Sequence, residues 1–376
     1  MSNSFREFLK KVGSGPHTSK NLSREEAAVA TRMMLLQEAT PAQIGAFMIA
    51  HRIKRPTPEE LAGMLDAYEQ LGPQLPPIAH ARPVVVFGIP YDGRSRTAPI
   101  SPLTTLVLAT AGCPVLLHGS GRIPTKYGIP LVEIWQGLGV DWQSLSLPQL
   151  HAVLEQTRLG LLYTPQHFPL AEGLMPYRDQ IGKRPPFATL ELIWSPYAGQ
   201  QQLVIGFVHP PTEDNVRSAL ALRGTTDFLT VKGLEGSCDL PRDRTAILGK
   251  NTGTNRGDHP SNASSSFERP SSFERLLLHS RDYGFAGTEL ALGTPEDLIE
   301  NIQSVLQGHP SEWMQAAIWN SGFYLAHCGI CPDLPTGFTY AKELLTSGQV
   351  MGHLEAVRAA VTNQEPSSLA RMGARV

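Results

Sequence analysis

The sequence predicts an α/β protein in which a small N-terminal helical domain precedes a larger α/β domain with a central, mostly parallel sheet. Three observations carry that expectation. Three helix-start signatures crowd into the first 75 residues, short apolar runs alternate with helical windows from residue 83 onward, and 34 glycines and 31 prolines supply many turns between short elements. Continuous apolar strands separated by helices are the pattern of a parallel sheet covered on both faces.

The helical part is well signposted. Ser23-Arg24-Glu25-Glu26 places a hydroxyl at a helix cap and a carboxylate three residues on, the reciprocal capping box. Thr40-Pro41-Ala42-Gln43 and Thr57-Pro58-Glu59-Glu60 repeat the design, with Pro at the first helical position, where its missing N–H costs nothing. Behind the second cap, Ile44, Phe47, Met48 and the stem of His51 recur at helical spacing, and Leu61, Met64, Leu65 and Tyr68 do so behind the third. Residues 1–75 therefore read as a packing or dimerising module.

From there the strands are expected at 83–87, 115–117, 159–163, 203–208 and 228–231, with helices at 101–111, 148–156 and 212–223. Ser101 is expected to cap the first of these helices, with Pro102 at its first position. Parallel sheets gather their ligands at the loops beyond strand C-termini, which makes the turns after Phe87, Leu117, Tyr163 and Val231 the place for a site. Residues 250–275 break the pattern. They are rich in Asn, Ser and Gly and contain SSFER twice, so they read as a mobile surface insert that cannot bury a core. Helices are expected again at 313–326, 341–345 and 350–361, giving an α/β domain over 80–362, and residues 363–376 read as a disordered tail. His327-Cys328-Gly329-Ile330-Cys331 lacks a second pair of ligands and reads as an inter-helix loop rather than a redox or metal motif.

Composition narrows the function. No apolar run approaches the roughly 20 residues of a membrane span. The start, MSNSFREFLKKVGSG, has no apolar core of the kind a secretory signal needs, and four cysteines in 376 residues make no disulfide framework, which together predict a cytoplasmic chain with no membrane partner. The 32 Lys and Arg against 34 Asp and Glu give no global attraction to nucleic acid. The local balance differs: between Arg82 and Lys126 there are five basic residues (Arg82, Arg94, Arg96, Arg122, Lys126) and one acid, Asp92. Such a cluster suits phosphate, or forms a solvated rim.

Several stretches resemble the anthranilate phosphoribosyltransferase family, glycosyltransferase family 3. Leu36-Gln37-Glu38-Ala39-Thr40-Pro41-Ala42-Gln43-Ile44-Gly45-Ala46-Phe47-Met48 is similar to its second-helix signature, continued by Pro58-Glu59-Glu60-Leu61-Ala62-Gly63. Ala111-Gly112-Cys113-Pro114-Val115 and then His118-Gly119 resemble the strand leading to its Lys-His-Gly-Asn loop. Pro165, His167 and Pro169, then Pro176-Tyr177-Arg178, resemble the segment that carries its anthranilate-binding arginine, and Asn320 to Leu325, Gly337, Ala341 and Ser347-Gly348 resemble its C-terminal helices. The resemblance implies a nucleoside phosphorylase/phosphoribosyltransferase-like fold, a homodimer through the helical domain, part of 165–185 joining that domain, and Mg²⁺-assisted transfer of ribose 5-phosphate from phosphoribosyl pyrophosphate to an aromatic amine.

The departures fall on that chemistry. The family's Gly-Thr-Gly-Gly-Asp pyrophosphate loop reads Gly88-Ile89-Pro90-Tyr91-Asp92-Gly93-Arg94, where side chains fill a bare-backbone cradle and Pro90 removes a donor. Asn-Ile-Ser-Thr becomes Pro99-Ile100-Ser101-Pro102, His-Gly-Asn becomes His118-Gly119-Ser120, and the acidic metal pair after Lys232-Gly233-Leu234-Glu235-Gly236 becomes Cys238-Asp239. Weak, altered or lost transfer is therefore expected. The alternative is a non-enzymatic member that binds single-stranded nucleic acid in a basic inter-domain cleft, since the Tyr91-Asp92-Gly93-Arg94 and Gly233-Leu234-Glu235-Gly236 loops resemble a branch of that kind. Either ligand carries phosphate. The expected walls are Asp92, Gly93, Arg94, Ser101, His118, Gly119, Thr125, Lys126 and Arg178, with Glu235 and Asp239 on the Mg²⁺ side and Arg96 joining Arg94 as a substitute phosphate donor. Four of them also have a plain structural reading: Asp92 and Glu235 as turn residues beside Gly, His118 as a satisfied histidine, Arg178 as a helix cap. Tyr91, Tyr127 and Phe168 either line a flat pocket or pack.

Overall fold

The computed structural model describes residues 3–15, 17–252 and 272–364. The chain opens with α1 (Asn3–Gly13), α2 (Arg24–Leu35), α3 (Pro41–Lys54) and α4 (Pro58–Leu71). All three capping boxes form as the sequence predicts, with Ser23, Thr40 and Thr57 accepting from the N–H of Glu26, Gln43 and Glu60. Helices α2 and α4 pack against each other, as do α1 and α3. At Gly63 an added Cβ would stand 2.0 Å from the carbonyl oxygen of Arg24, so the approach of α4 to α2 requires glycine there. Glu60 is fully buried, 3.2 Å from the His51 Nε2 and 2.8 Å from the Lys54 Nζ. Burial alone would raise its carboxyl, but these two partners and the N–H of Leu22 hold it down at about 2.

The remaining elements are β1 (Val84–Gly88), α5 (Ser101–Thr110), β2 (Val115–Gly119), α6 (Leu131–Gly137), α7 (Leu147–Thr157) and β3 (Leu159–Tyr163). Short helices α8 (Thr164–His167), α9 (Pro169–Glu172), α10 (Met175–Ile181) and α11 (Phe187–Ile193) then cross to the helical side, where α10 packs on α3. The chain returns through β4 (Gln201–Gly206), α12 (Pro210–Leu222), β5 (Phe228–Val231), β6 (Ala246–Thr252) and β7 (Ser272–Leu278), and ends with α13 (Pro295–Leu306), α14 (Glu312–His327), α15 (Leu334–Thr346) and α16 (Gln349–Thr362). The seven strands run in the order β3-β2-β1-β4-β5-β6-β7. The first five pair in parallel, in the register Val85↔Val115 and Val85↔Gln202 across β1, and β6 and β7 close the sheet antiparallel. The fold class is the expected one.

Four expectations shift. Strand β4 lies two residues earlier than read, because parallel pairing with β1 ends at Gly88↔Ile205 and frees Phe207 and Val208 for the cleft. Helix α5 begins at Ser101 with Ile100 at the cap position and no side-chain cap from Ser101. The ends of the 250–275 segment are strand: Lys250, Asn251 and Thr252 pair with Glu274, Phe273 and Ser272. Their polar composition reads as loop, and the ladder from β5 overrides it. The middle of that segment, 253–271, and the tail from 365 lie outside the described residues. Helix α13 goes unread although Thr294-Pro295-Glu296-Asp297 forms a capping box like those at the N-terminus. Cys328 ends α14, and no group of three or more His, Cys, Asp or Glu among the described residues could hold a metal ion. No helix among them is long and apolar enough to cross a membrane.

Candidate functional site

Strand order reverses direction between β1 and β4, and in an open parallel sheet that switch point opens a crevice at the strand C-termini. A cavity of about 370 Å³ lies there, lined by Pro90 after β1, Phe207 and Val208 after β4, and Glu235 and Gly236 after β5, with Arg52 of α3 and Arg184, Pro185, Pro186, Ala188 and Thr189 from the helical side. Of the expected site residues Glu235 lines this cavity, and most of the others fall into two buried clusters.

The first cluster joins three loops. Arg94, 5% exposed, lies between Glu235 and Asp239, each 2% exposed at the side chain. Its Nη1 donates to Asp239 Oδ2 at 3.1 Å. The Glu235 carboxylate accepts from the N–H groups of Ser95, Arg96 and Thr97 at 3.2, 3.0 and 2.9 Å, from both hydroxyls at 3.0 Å, and from the Lys126 Nζ at 3.3 Å. Burial alone would raise Glu235, but the Thr97 and Arg96 N–H groups and the charges of Arg94 and Lys126 outweigh it and hold the carboxyl at about 2. Glu235 sits in the left-handed region, at φ 54°, a conformation L-residues adopt only when their surroundings fix it. Asp239 Oδ2 also accepts from the N–H of Ile100 at 3.2 Å, and Ser101 N–H supports the same carboxylate. Burial pushes the Asp239 carboxyl up, against the pull of Arg94. The α5 N-terminus, where Ser101 is an expected wall of the phosphate site, is thus covered by a carboxylate of the chain itself.

The second cluster lies under the helical side. Arg178, 1% exposed, pairs through Nη1 with Glu191 of α11 and through Nη2 with Asp92 at 3.8 Å, and Arg184 Nε lies 3.2 Å from the same Asp92 oxygen. Asp92 is fully buried, and neither of its oxygens has a well-aligned hydrogen bond. His118 is also fully buried, bonded through Nδ1 to the Tyr91 hydroxyl at 2.5 Å. Burial lowers its pKa to about 3, so the ring is neutral at physiological pH and supplies no cation to phosphate. Trp194, Phe168, Tyr68 and Tyr91 complete an aromatic cluster around it, with ring centroids 5.1–5.8 Å apart. Tyr91 and Phe168 therefore pack, whereas Tyr127 is 48% exposed and ties its loop to α10 through Asp179.

The other expected residues are peripheral. Gly93 takes φ 75° where the chain passes Gly128, and an added Cβ would lie 2.6 Å from that backbone. Gly119 ends β2 and accepts from the Thr164 hydroxyl, Thr125 is exposed, and Arg96 is 79% exposed at the side chain. Sequence reasoning missed Glu191, Arg184 and Arg52. The signal for Glu191 is a lone acid inside the apolar run Phe187–Ile193, which calls for a buried cation.

The place between Glu235 and Asp239 is filled, and Mg²⁺ does not fit beside what fills it. Glu235 and Asp239 are the expected ligands, but a guanidinium already lies between them, Lys126 and backbone N–H groups occupy the remaining lone pairs, and Cys238 points its thiol at the carbonyls of Gly88 and Val204. What stays open is the mouth of the crevice. Arg52 lines it, Arg55 lines the adjoining pocket and Lys183 precedes the lining residue Arg184; all three are exposed and form no ion pair among the described residues.

Comparison with known proteins converges on one group. The glycosyl transferase family, helical bundle domain, matches residues 6–72. An anthranilate phosphoribosyltransferase of Bradyrhizobium is 27% identical over 348 residues, covering 92% of this chain and 97% of that protein. One of Methanosarcina acetivorans is 26% identical over 346 residues, covering 92% and 87%. Among solved structures, the Saccharomyces cerevisiae anthranilate phosphoribosyltransferase in complex with PRPP and Mg shares the fold with a TM-score of 0.78 at 15% identity, covering 97% of this chain and 99% of that one. The Thermus thermophilus enzyme does so at 0.74 and 21%, covering 96% and 100%.

Proposed function

Because the chain belongs to the anthranilate phosphoribosyltransferase family, glycosyltransferase family 3, we propose that its inter-domain crevice binds a phosphate-bearing ligand while transfer of phosphoribose to an aromatic amine is lost. The observation that carries this reading is the internal pairing of the charges such a transfer would need. Arg178 is bonded to Glu191 and faces Asp92, so an acceptor carboxylate would have to displace one of the chain's own. Arg94 is bonded to Asp239, and the α5 N-terminus is capped by the same acid. Losing one preorganised charge interaction in a closed site costs about 3 kcal/mol, near a hundredfold in rate, and several are altered here.

Single-stranded nucleic acid is the ligand that the unpaired cations at the mouth favour. Arg52 and Arg55 at the end of α3 and Lys183 after α10 are exposed and without ion pairs among the described residues, and the exposed Tyr127, tied to α10 through Asp179, is a ring on which a base could stack. A homodimer through the helical domain accompanies this reading; Ile53 and Val29, 67% and 44% exposed, are apolar side chains such an interface would cover. The test is a titration with phosphoribosyl pyrophosphate, with and without Mg²⁺, beside a fluorescent oligo(dT) at two salt concentrations. Oligonucleotide binding that weakens steeply with salt is the expected result. Steady-state turnover with anthranilate at an ordinary enzyme rate, ~1–10 s⁻¹, would overturn the proposal.

A further inference from the structure

The guanidinium of Arg94 sits in a cage made of oxygen. Nη1 donates to the Leu234 carbonyl at 3.0 Å, the Ser237 hydroxyl at 2.5 Å and Asp239 Oδ2 at 3.1 Å. Nε donates to the Thr97 carbonyl at 3.1 Å and lies 3.6 Å from Glu235 Oε1, and Nη2 donates to the Thr97 hydroxyl at 2.5 Å. Two carboxylates, two hydroxyls and backbone carbonyls, with no nitrogen or sulfur among them, form the donor set that hard divalent cations select. The pair needs a positive charge at this place: both carboxylates are about 2% exposed, Arg94 is the one ion-pair partner of Asp239 among the described residues, and without it Asp239 would stand as a buried charge beside a second carboxylate that Lys126 alone answers at close range.

We infer that Arg94 is a built-in replacement for a divalent cation: it neutralises Glu235 and Asp239, fastens the 94–97 loop to the 234–239 loop, and excludes metal from the cage. Two consequences separate this from an ordinary ion pair. The wild-type chain has no divalent-cation site of its own here, and removing the guanidinium creates one. An ordinary ion pair, once cut, leaves only a destabilised protein. A third consequence, that the crevice binds its phosphate ligand without metal, rests on the functional reading above; the exchange of guanidinium for metal does not.

The experiment is Mn²⁺ binding to the full-length protein with no phosphate present, read by electron paramagnetic resonance and by melting temperature. Mn²⁺ is the probe because its coordination geometry is less demanding than that of Mg²⁺. The wild type is expected to show no site in this region down to the ~1 mM affinity of weak protein cation sites, whereas Arg94→Gly gains one equivalent, melts higher with Mn²⁺, and loses that binding at least tenfold when Asp239→Asn is added. A wild-type Mn²⁺ site abolished by Glu235→Gln would overturn the inference, as would a folded Arg94→Gly protein that acquires no site. Should Arg94→Gly fail to fold, Arg94→Lys keeps the charge and loses the fork; it is expected to fold and to exclude Mn²⁺, and Mn²⁺ binding by it would count against the inference. Because no phosphate is present, failure here leaves the oligonucleotide titration to judge the functional reading separately.

Discussion

Arg94 donates a hydrogen bond to Asp239 at 3.1 Å with both side chains almost wholly out of solvent, 5% and 2% exposed. That bond joins the loop after β1 to the loop after β5 and brings a carboxylate onto the first N–H groups of α5. In a parallel sheet those places ordinarily face a ligand. Here they face each other, and the crevice that remains open lies outside them, toward α3 and the segment after α10.

Arg178 is expected to matter for stability rather than for ligand affinity. Arg178→Met leaves Glu191 buried with its ion-pair partner gone and Asp92 with Arg184 alone, a loss of about 3–5 kcal/mol. Adding Glu191→Met removes the stranded charge and should recover a large part of it. Urea denaturation reads both values; a change under about 1 kcal/mol for the single variant would mean that Arg178 is not held as described.

His118 makes the protein acid-sensitive. Its folded-state pKa is about 3 against an ordinary 6.5, so between those values the unfolded chain takes up a proton that the folded one refuses. Stability from this group is therefore complete above pH 6.5 and falls as pH drops toward 3, by at most about 1.4 kcal/mol per unit. His118→Gln should flatten the melting temperature between pH 6.5 and 4.5 without abolishing the slope, since burial lowers His327 to about 3 as well. Parallel curves for the two proteins would contradict the buried, neutral histidine. Below pH 4.5 a further fall follows as the unfolded chain protonates Glu60 and Glu235, which the folded protein holds ionised down to about 2.

The cations at the crevice mouth should act additively on a polyanion. Changing Arg52, Arg55 and Lys183 together to Ala is expected to weaken oligo(dT) binding and to reduce the salt slope by about 0.7 for each phosphate left without its cation. The melting temperature should change little, because none of the three has an ion pair among the described residues. An unchanged slope would move the ligand elsewhere.

The connection between β6 and β7 is expected to be dispensable. Thr252 and Ser272 are partners in the antiparallel ladder, so a two-residue Asn-Gly turn can replace 253–271. Shortening the loop should cost nothing in closure entropy. Chemical denaturation of the deletion protein is the measurement, and a loss above about 2 kcal/mol would show that the segment packs against the body.

Local chemistry alone fixed much of this protein. Ser23, Thr40 and Thr57 start their helices because the groups that satisfy the first N–H donors lie within three residues, and the apolar runs of β1, β2, β3 and β5 specify buried strands without reference to neighbours. The motifs around Pro41, Pro58 and His118 likewise carried the family. The state of the site was not legible, because a sequence lists charges without saying what answers them. Arg94 and Arg178 read as hands held out to a ligand until the fold brings Asp239, 145 residues away, to one and Glu191 to the other. Nor could Lys250-Asn251-Thr252 at the end of β6 announce itself as strand, since its pairing partners, not its composition, hold it in the sheet. A buried charge must find a counter-charge, and in this chain only the tertiary structure decided that the counter-charges are its own.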